Sequence, residues 1–315
     1  MQIIDTIKRK VRTLVHTERI LTKKIEGSFI YPLLPDKVAI NLVFYNVFGR
    51  RVNWKNPKSF NEKLQWLKLY NRNPLYSKLV DKYEVKKWVA EKIGDQYIIP
   101  TYGVWNSFDE IDFSKLPDQF VMKTTHGGGN TGVVICKDKN KFDVEGARVK
   151  LTKSLHTNTY IIGREWPYKD VPHRIIAEKY IDPSPDVMDL PDYKWYCFNG
   201  EPTYCQVIQD RNSMETIDFF DTKWIHQDFV GMDAKANNAA VLPSKPENMD
   251  LQIRIARELS KQFVFSRVDL YSIGNSVFFG EITFYPASGF GRFRPDQYNE
   301  ILGEMINLPG EKWGG

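Results

Sequence analysis

Polar and apolar residues alternate from Phe265 to Tyr271 and again from Phe279 to Tyr285, a period of two that predicts two strands with unlike faces. Arg267, Asp269 and Tyr271 share one face of the first strand. Glu281, Thr283 and Tyr285 share one face of the second, while Ile282 and Phe284 point toward a core. Gly274-Asn275-Ser276 suits a three-residue hairpin loop, which pairs Ile273 with Val277, Asp269 with Glu281 and Arg267 with Thr283. A two-residue loop would slip that register and part the acids. Two carboxylates facing across a ladder repel unless something positive lies between them. One reading is a Mg2+ site, with hard oxygen ligands on a rigid sheet and an arginine beside them for phosphate oxygens. The other is a solvent-facing hairpin whose charges have no joint role, and the pattern alone does not choose between them.

Helical spacing dominates the first third of the chain. Ile3, Ile4, Ile7, Val11, Leu14 and Val15 fall on one face of a segment over residues 3–25, with Lys8, Arg9, Lys10, Arg12, Arg19, Lys23 and Lys24 mostly elsewhere. Such a helix can lie on an anionic membrane surface, but its apolar face has no Trp or Phe, and packing on its own domain is the favoured reading. A second apolar segment runs from Val38 to Phe48. Ser59 and Glu62 have capping-box spacing, which starts a helix reaching Tyr70. Leu75 to Ile93 reads as one further helix, with Asp81-Lys82-Tyr83-Glu84 near its start and Gly94 at its end. Ile98 to Trp105 reads as a short buried strand and its exit.

Strands then take over. Gln119 to Lys123 runs into Thr124-Thr125-His126-Gly127-Gly128-Gly129-Asn130-Thr131-Gly132 and a second strand, Val133 to Cys136, so a hairpin with a glycine-rich tip is predicted. A P-loop would need a helix after the glycines and the lysine inside the loop, and a dinucleotide fingerprint would need a βαβ unit. Consecutive glycine amides still wrap phosphate oxygens, with Lys123 as the point charge, and this is favoured over a mobile surface loop. Glu145 to Thr157 is helical in pattern and Arg174 to Ile181 is a strand. Asp182-Pro183-Ser184-Pro185 reads as a hinge between two lobes, where a nucleotide base could sit. Asp192 to Phe198 turns at Asn199-Gly200 into Pro202 to Ile208, and Ile217 to Asp221 joins the same sheet. An amphipathic helix over Asp250 to Lys261 leads into the Arg267 strand, and a short helix follows Arg294.

Composition narrows the class. With 315 residues, 42% hydrophobic and 26% charged, the chain has the makeup of a globular protein with a substantial core in two lobes or domains. A net charge of +5 favours anionic ligands and is too weak to imply nucleic acid. No apolar run approaches the ~20 residues that span a bilayer, and no signal-peptide core interrupts the basic N-terminus. Cys136, Cys197 and Cys205 lack metal-ligand spacing and read as reduced core thiols of a cytoplasmic protein.

Lysine strand, glycine-rich hairpin, the Glu178-Lys179-Tyr180-Ile181 hinge, then Arg267-x-Asp269 and Glu281-x-Thr283 on paired strands: this order resembles the ATP-grasp superfamily. With Asn56-Pro57-Lys58-Ser59-Phe60-Asn61-Glu62-Lys63, Val80-Asp81-Lys82-Tyr83 and Gly280-Glu281-Ile282-Thr283-Phe284-Tyr285-Pro286 added, it looks like the teichuronopeptide-biosynthesis-like (TupA-like) branch, found among bacterial surface-polysaccharide genes. The resemblance covers residues 50–300. It implies an α+β ATP-grasp fold, two α+β lobes clasping a nucleotide behind a mainly helical N-terminal region. The expected divisions are 1–75 helical, 76–116 leading in, 117–181 the small lobe with the glycine loop, 182–305 the large lobe with the metal site, and 306–315 a tail.

The same resemblance implies roles. Lys82 and Lys123 would contact ATP phosphates, with His126 and the loop Gly127, Gly128 and Gly129 closing over them. Glu178 would bond the adenine amino group, Lys179, Tyr180 and Ile181 would offer hinge backbone, and Lys194 would be a further phosphate contact. Asp269, Glu281 and Thr283 would hold Mg2+, and Arg267 would stabilise the transferring phosphoryl group. Thr283 departs from the asparagine usual there, which bears on a second metal ion more than on the first. The implied activity is ADP-forming carboxylate–amine ligation through an acylphosphate, on an acidic sugar or glycan carboxylate and an amino acid or amino sugar; the expected place is the cytoplasm, with peripheral contact at the inner face of the membrane through residues 1–25 as the alternative. A surface-polysaccharide glycosyltransferase, an ATP-dependent sugar kinase and a catalytically silent binding protein are the rival expectations. The glycosyltransferase would need a βα-alternating sheet and an Asp-x-Asp-like motif, and the chain shows neither.

Overall fold

The computed structural model describes residues 23–129, 132–182, 192–209, 215–232 and 236–310. Most of the helix predicted over 3–25 and the hinge prolines Pro183 and Pro185 lie outside these residues. Helix α1 (Asp36–Phe48) is followed by α2 (Phe60–Tyr70), which starts where the sequence pattern places it. The Ser59 side chain accepts from the Glu62 amide, and Glu62 Oε2 accepts from the Ser59 amide at 3.3 Å, so two otherwise orphaned donors are satisfied. Phe60 packs its ring against Tyr196, Phe198, Phe265 and Phe293, fastening this helix to the large sheet.

The single helix expected over Leu75–Ile93 is instead two, α3 (Leu75–Val80) and α4 (Glu84–Ile93). Asp81 is the cause. Its backbone is extended, and its Oδ1 accepts from the amides of Tyr83 at 2.8 Å and Glu84 at 3.2 Å, offering the chain an alternative to helical hydrogen bonds. Lys82 is thereby turned out of the helical path, its own amide donating to the Thr125 carbonyl.

Strands β1 (Thr101–Trp105), β2 (Phe120–Thr124), β3 (Val133–Cys136) and β4 (Ile175–Lys179) form an antiparallel sheet in the order β1-β4-β2-β3. As an edge strand β1 is half-buried, not buried as its apolar sequence suggests. Helix α5 (Val144–Leu155) closes one face through Ala147 and Leu151 against Phe120, Met122 and Ala177. The short α6 (Thr159–Gly163) follows it.

The larger sheet comprises β5 (Asp192–Phe198), β6 (Glu201–Gln209), β7 (Thr216–Asp221), β9 (Phe265–Ile273) and β10 (Ser276–Thr283), ordered β10-β9-β5-β6-β7. A small ribbon pairs β8 (Val230–Gly231) with β11 (Phe293–Arg294), and α8 (Tyr298–Glu304) comes last. Helix α7 (Met249–Ser260) shares a core with Trp195, Val268, Leu270 and Ile282, and Trp195 Nε1 donates to Gln252 Oε1 at 3.0 Å. Because strand residues alternate, covering that face leaves Asp192, Lys194, Arg267, Asp269, Glu281 and Thr283 together on the other.

The β9–β10 turn has two residues, not three: Ser276 pairs with Ile273 and Val277 with Ser272. The one-residue slip is cancelled by a bulge between Phe279 and Glu281, so Asp269 still faces Glu281 and Arg267 still faces Thr283. Gly280 is the extra residue. A Cβ there would stand 3.0 Å from the Asp269 carbonyl oxygen and 3.2 Å from the Tyr271 ring. Among the described residues no helix is long and apolar enough to cross a membrane, and Cys136, Cys197 and Cys205 are buried free thiols.

Candidate active site

The charged face of the large sheet carries three acids and three bases in contact. Arg267 donates from Nε to Asp269 Oδ1 and from Nη2 to Asp269 Oδ2, both at 2.7 Å. The same Nη2 reaches Glu281 Oε1 at 3.1 Å and the Thr283 hydroxyl at 3.2 Å, and that hydroxyl donates to Glu281 Oε1. Lys194, on the neighbouring strand β5, donates to Asp269 Oδ2 and pairs with Asp192 at 2.7 Å. Lys82 arrives from the break between α3 and α4, its Nζ 3.1 Å from Glu281 Oε2. Asp192, Asp269 and Glu281 are thus balanced by Lys82, Lys194 and Arg267.

Position in this network separates the two acids of the hairpin. Asp269 is buried, and burial raises its pKa against the opposing pull of Arg267 and Lys194. Glu281 keeps part of its side chain in solvent; burial would raise it too, but Lys82, Arg267 and Lys194 together hold it well below the usual carboxylate range. Glu281 is therefore anionic at neutral pH.

These residues fit a magnesium ion. Two carboxylates and a hydroxyl on adjacent strands are the oxygen donors that a hard divalent cation takes. Lys82 and Arg267, which hold the Glu281 oxygens, carry the cationic donors that phosphate oxygens also accept from.

The small lobe contributes a second charged group. Glu178 is buried between Lys123 Nζ on Oε2 and Lys86 Nζ on Oε1, each at 2.5 Å. The two ammonium groups outweigh the burial that would otherwise raise its pKa and hold it below the ordinary value. Lys86 also donates to the Ile99 carbonyl at 2.7 Å and the Thr101 hydroxyl at 2.6 Å, which anchors it. Sequence reasoning missed Lys86, although its spacing of four from Lys82 was a readable signal, and missed Asp192, whose two-residue spacing from Lys194 puts both on one strand face. The half-buried Tyr271 feels the charges of Asp192, Glu281, Asp269 and Glu178, so both acidic groups lie within electrostatic reach of it.

Other candidate residues are arranged as follows. A Cβ at Gly128 or Gly129 would meet nothing within 4 Å, and Gly129 has a φ of +59°, so the loop tip stands in open space. His126 lies beneath it, fully buried, its ring stacked on His173 at 3.6 Å and its Nε2 3.1 Å from the Ser154 carbonyl. The Lys179 amide donates to the Pro100 carbonyl, while Tyr180 and Ile181 follow β4 half-buried. The structure brings Lys82, Lys194, Arg267, Asp269, Glu281 and Thr283 into one network and Lys123 and Glu178 into another.

Two antiparallel sheets, one of four strands and one of five, each carrying paired acids and bases, are joined in this chain to a family match. The model of the TupA-like ATP-grasp family matches residues 62–307, and the chain belongs to that family. Among solved structures it is similar to D-alanine–D-alanine ligase from Bacillus anthracis, with 16% identity, coverage of 73% of this chain and 61% of that one, and a TM-score of 0.36. D-alanine–D-alanine ligase from Helicobacter pylori matches at 14% identity, 79% and 70% coverage and a TM-score of 0.41. The ATP-grasp ligase PsnB, complexed with minimal precursor, Mg and ADP, matches at 12%, 71% and 57%, with a TM-score of 0.37. The chain thus spans less than two thirds of the first and third of these proteins. No curated protein is significantly similar to it.

Proposed function

We propose that the protein is an ATP-dependent, ADP-forming ligase that joins a carboxylate to an amine through an acylphosphate, in the cytoplasmic assembly of a bacterial surface polysaccharide. The observation that carries this reading is the face-to-face placement of Asp269 and Glu281 beneath Arg267 and Lys82. Phosphoryl transfer to a carboxylate brings two anions together, so catalysis is charge neutralisation and alignment. Lys82 and Lys123 draw the triphosphate into line, and Arg267, oriented by its two bonds to Asp269, faces the transferring group. Mg2+ held by Asp269, Glu281 and Thr283 would offset the charge on the phosphate oxygens. Glu178 accepts from the adenine amino group, the backbone of Lys179, Tyr180 and Ile181 borders the base, and the loop at Gly127, Gly128 and Gly129 closes over the phosphates. His126 anchors that loop from below, and Lys194 holds Asp269 in place. No side-chain nucleophile is needed.

Membership of the TupA-like branch supports a uronic-acid or other glycan carboxylate as the acyl donor and an amino acid or amino sugar as the amine. Incubation with ATP, Mg2+ and pools of uronic acids, amino acids and amino sugars tests this. A ligase releases ADP and phosphate only when both a carboxylate and an amine are present. A sugar kinase would release ADP with one substrate and retain the phosphate on it, and that result would overturn the reading.

A further inference from the structure

Beyond Thr283 the chain forms a tight strap, Tyr285 to Gly291, in which Ala287, Ser288 and Gly289 all have positive φ, at 47°, 50° and 64°. Non-glycine residues adopt this conformation only at an energetic cost and keep it where their surroundings impose it. Helix α2 imposes it here. Asn61 donates to the Gly289 and Gly291 carbonyls at 2.9 Å, Gln65 to Ser288 and Gly289, and Lys68 to Ser288 at 2.7 Å and Gly163 at 2.6 Å. These three side chains recur on one face of the helix, and Lys68 is fully buried with its ammonium 4.7 Å from the Phe290 ring centre.

Held this way, the Ser288 hydroxyl donates to Glu165 Oε1 at 2.5 Å. Gly163 leaves room for the pair, since a Cβ there would come within 2.4 Å of the Ser288 hydroxyl and 2.8 Å of Glu165 Oε1. Glu165 is half-buried and senses the charges of Lys68, Glu281 and Arg267. Its carboxylate is held by the strap, through a residue five positions past Thr283, and the charges of Glu281 and Arg267 reach it. Burial raises its pKa, with Glu281 adding to the rise and Lys68, Ser288 and Arg267 opposing it.

We propose that Glu165, positioned by Ser288 and the α2-braced strap, binds the acceptor substrate as a primary ammonium and takes its proton. The inference rests on the ligase reading above and names the missing proton acceptor in it. An ammonium has no lone pair to attack with. Transfer of one proton to the Glu165 carboxylate leaves the neutral amine, which attacks the acylphosphate carbonyl carbon. The C–N bond forms, the C–O bond to phosphorus breaks, and phosphate leaves with that electron pair and the second amine proton.

Hydroxylamine separates the two steps, because it is already neutral at pH 7 and needs no proton acceptor. With ATP, Mg2+ and glucuronate, galacturonate or L-glutamate as the carboxylate, wild type forms a hydroxamate from hydroxylamine and an amide from L-alanine or glucosamine. Glu165→Gln is expected to keep hydroxamate formation within about twofold while amide formation falls by about 100-fold or more, the range for losing a general base. Ser288→Ala is expected to move the same ratio in the same direction, by less. Equal loss of both products, or loss of neither, overturns the role of Glu165 with the ligase reading intact. Absence of hydroxamate from wild type overturns both.

Discussion

Asp269 and Glu281 face each other across β9 and β10 because the single extra residue Gly280 undoes the slip of a two-residue turn. Turn and bulge are shifts of equal size and opposite sign, and the facing of the two acids depends on their cancellation. Deleting Gly280 therefore moves Glu281 off the site face, and ATP turnover should fall to background. Gly280→Val keeps the count but crowds the Asp269 carbonyl. It should retain some turnover with a melting temperature lower by several degrees, as read by ADP release and thermal denaturation.

The two acids and their arginine should respond differently to mutation. Arg267→Ala strands the buried Asp269 with half its partners gone, and breaking a buried pair costs about 3–5 kcal/mol. Both stability and turnover should drop. Glu281 has a partly solvated side chain, so Glu281→Gln should melt within a few degrees of wild type yet lose about 100-fold or more in turnover, with a raised Mg2+ requirement. Denaturant melts and Mg2+ titrations of ATP turnover check the contrast.

Lys86 offers a test of the small-lobe pair. In Lys86→Met, Glu178 keeps only Lys123, which is then drawn more tightly to the acid and away from phosphate. The KM for ATP should rise by about tenfold with kcat changed less, a split that marks lost ground-state binding.

Acid should loosen the base of the glycine loop through His126. Burial, the stacked His173 and the nearby Lys82 pull the His126 pKa down to about 4, despite carbonyl contacts that favour protonation. An unfolded histidine titrates near 6.5, so between about 4 and 6.5 the unfolded chain binds more protons than the folded one. The stability contributed by neutral His126 is complete above pH 6.5 and declines as pH falls toward 4. The melting temperature should drop over that window, and His126→Asn should flatten the drop. An unchanged slope in the variant would remove His126 as its source.

Much of this was legible beforehand, for reasons that can be stated. The capping box at Ser59 and Glu62, the β2–β3 hairpin and the pairing of Asp269 with Glu281 follow from local spacing and strand alternation. The break at Asp81 did not, because an aspartate's preference for its own backbone competes with strong helical periodicity on both sides, and periodicity was the louder signal. The Gly280 bulge was hidden because bulge and short turn leave the same pairing as a longer turn without a bulge. Lys68, Glu165 and Ser288 lie far apart in the chain, and only their packing shows that they belong together.

The strap's dependence on α2 reaches beyond the site. A chain trimmed to residues 117–305 would lack Asn61, Gln65 and Lys68, leaving the carbonyls of residues 288, 289 and 291 without those donors. The helical preamble is therefore part of what shapes the strap, and carrying the strap's conformation onto another scaffold would require moving α2 as well.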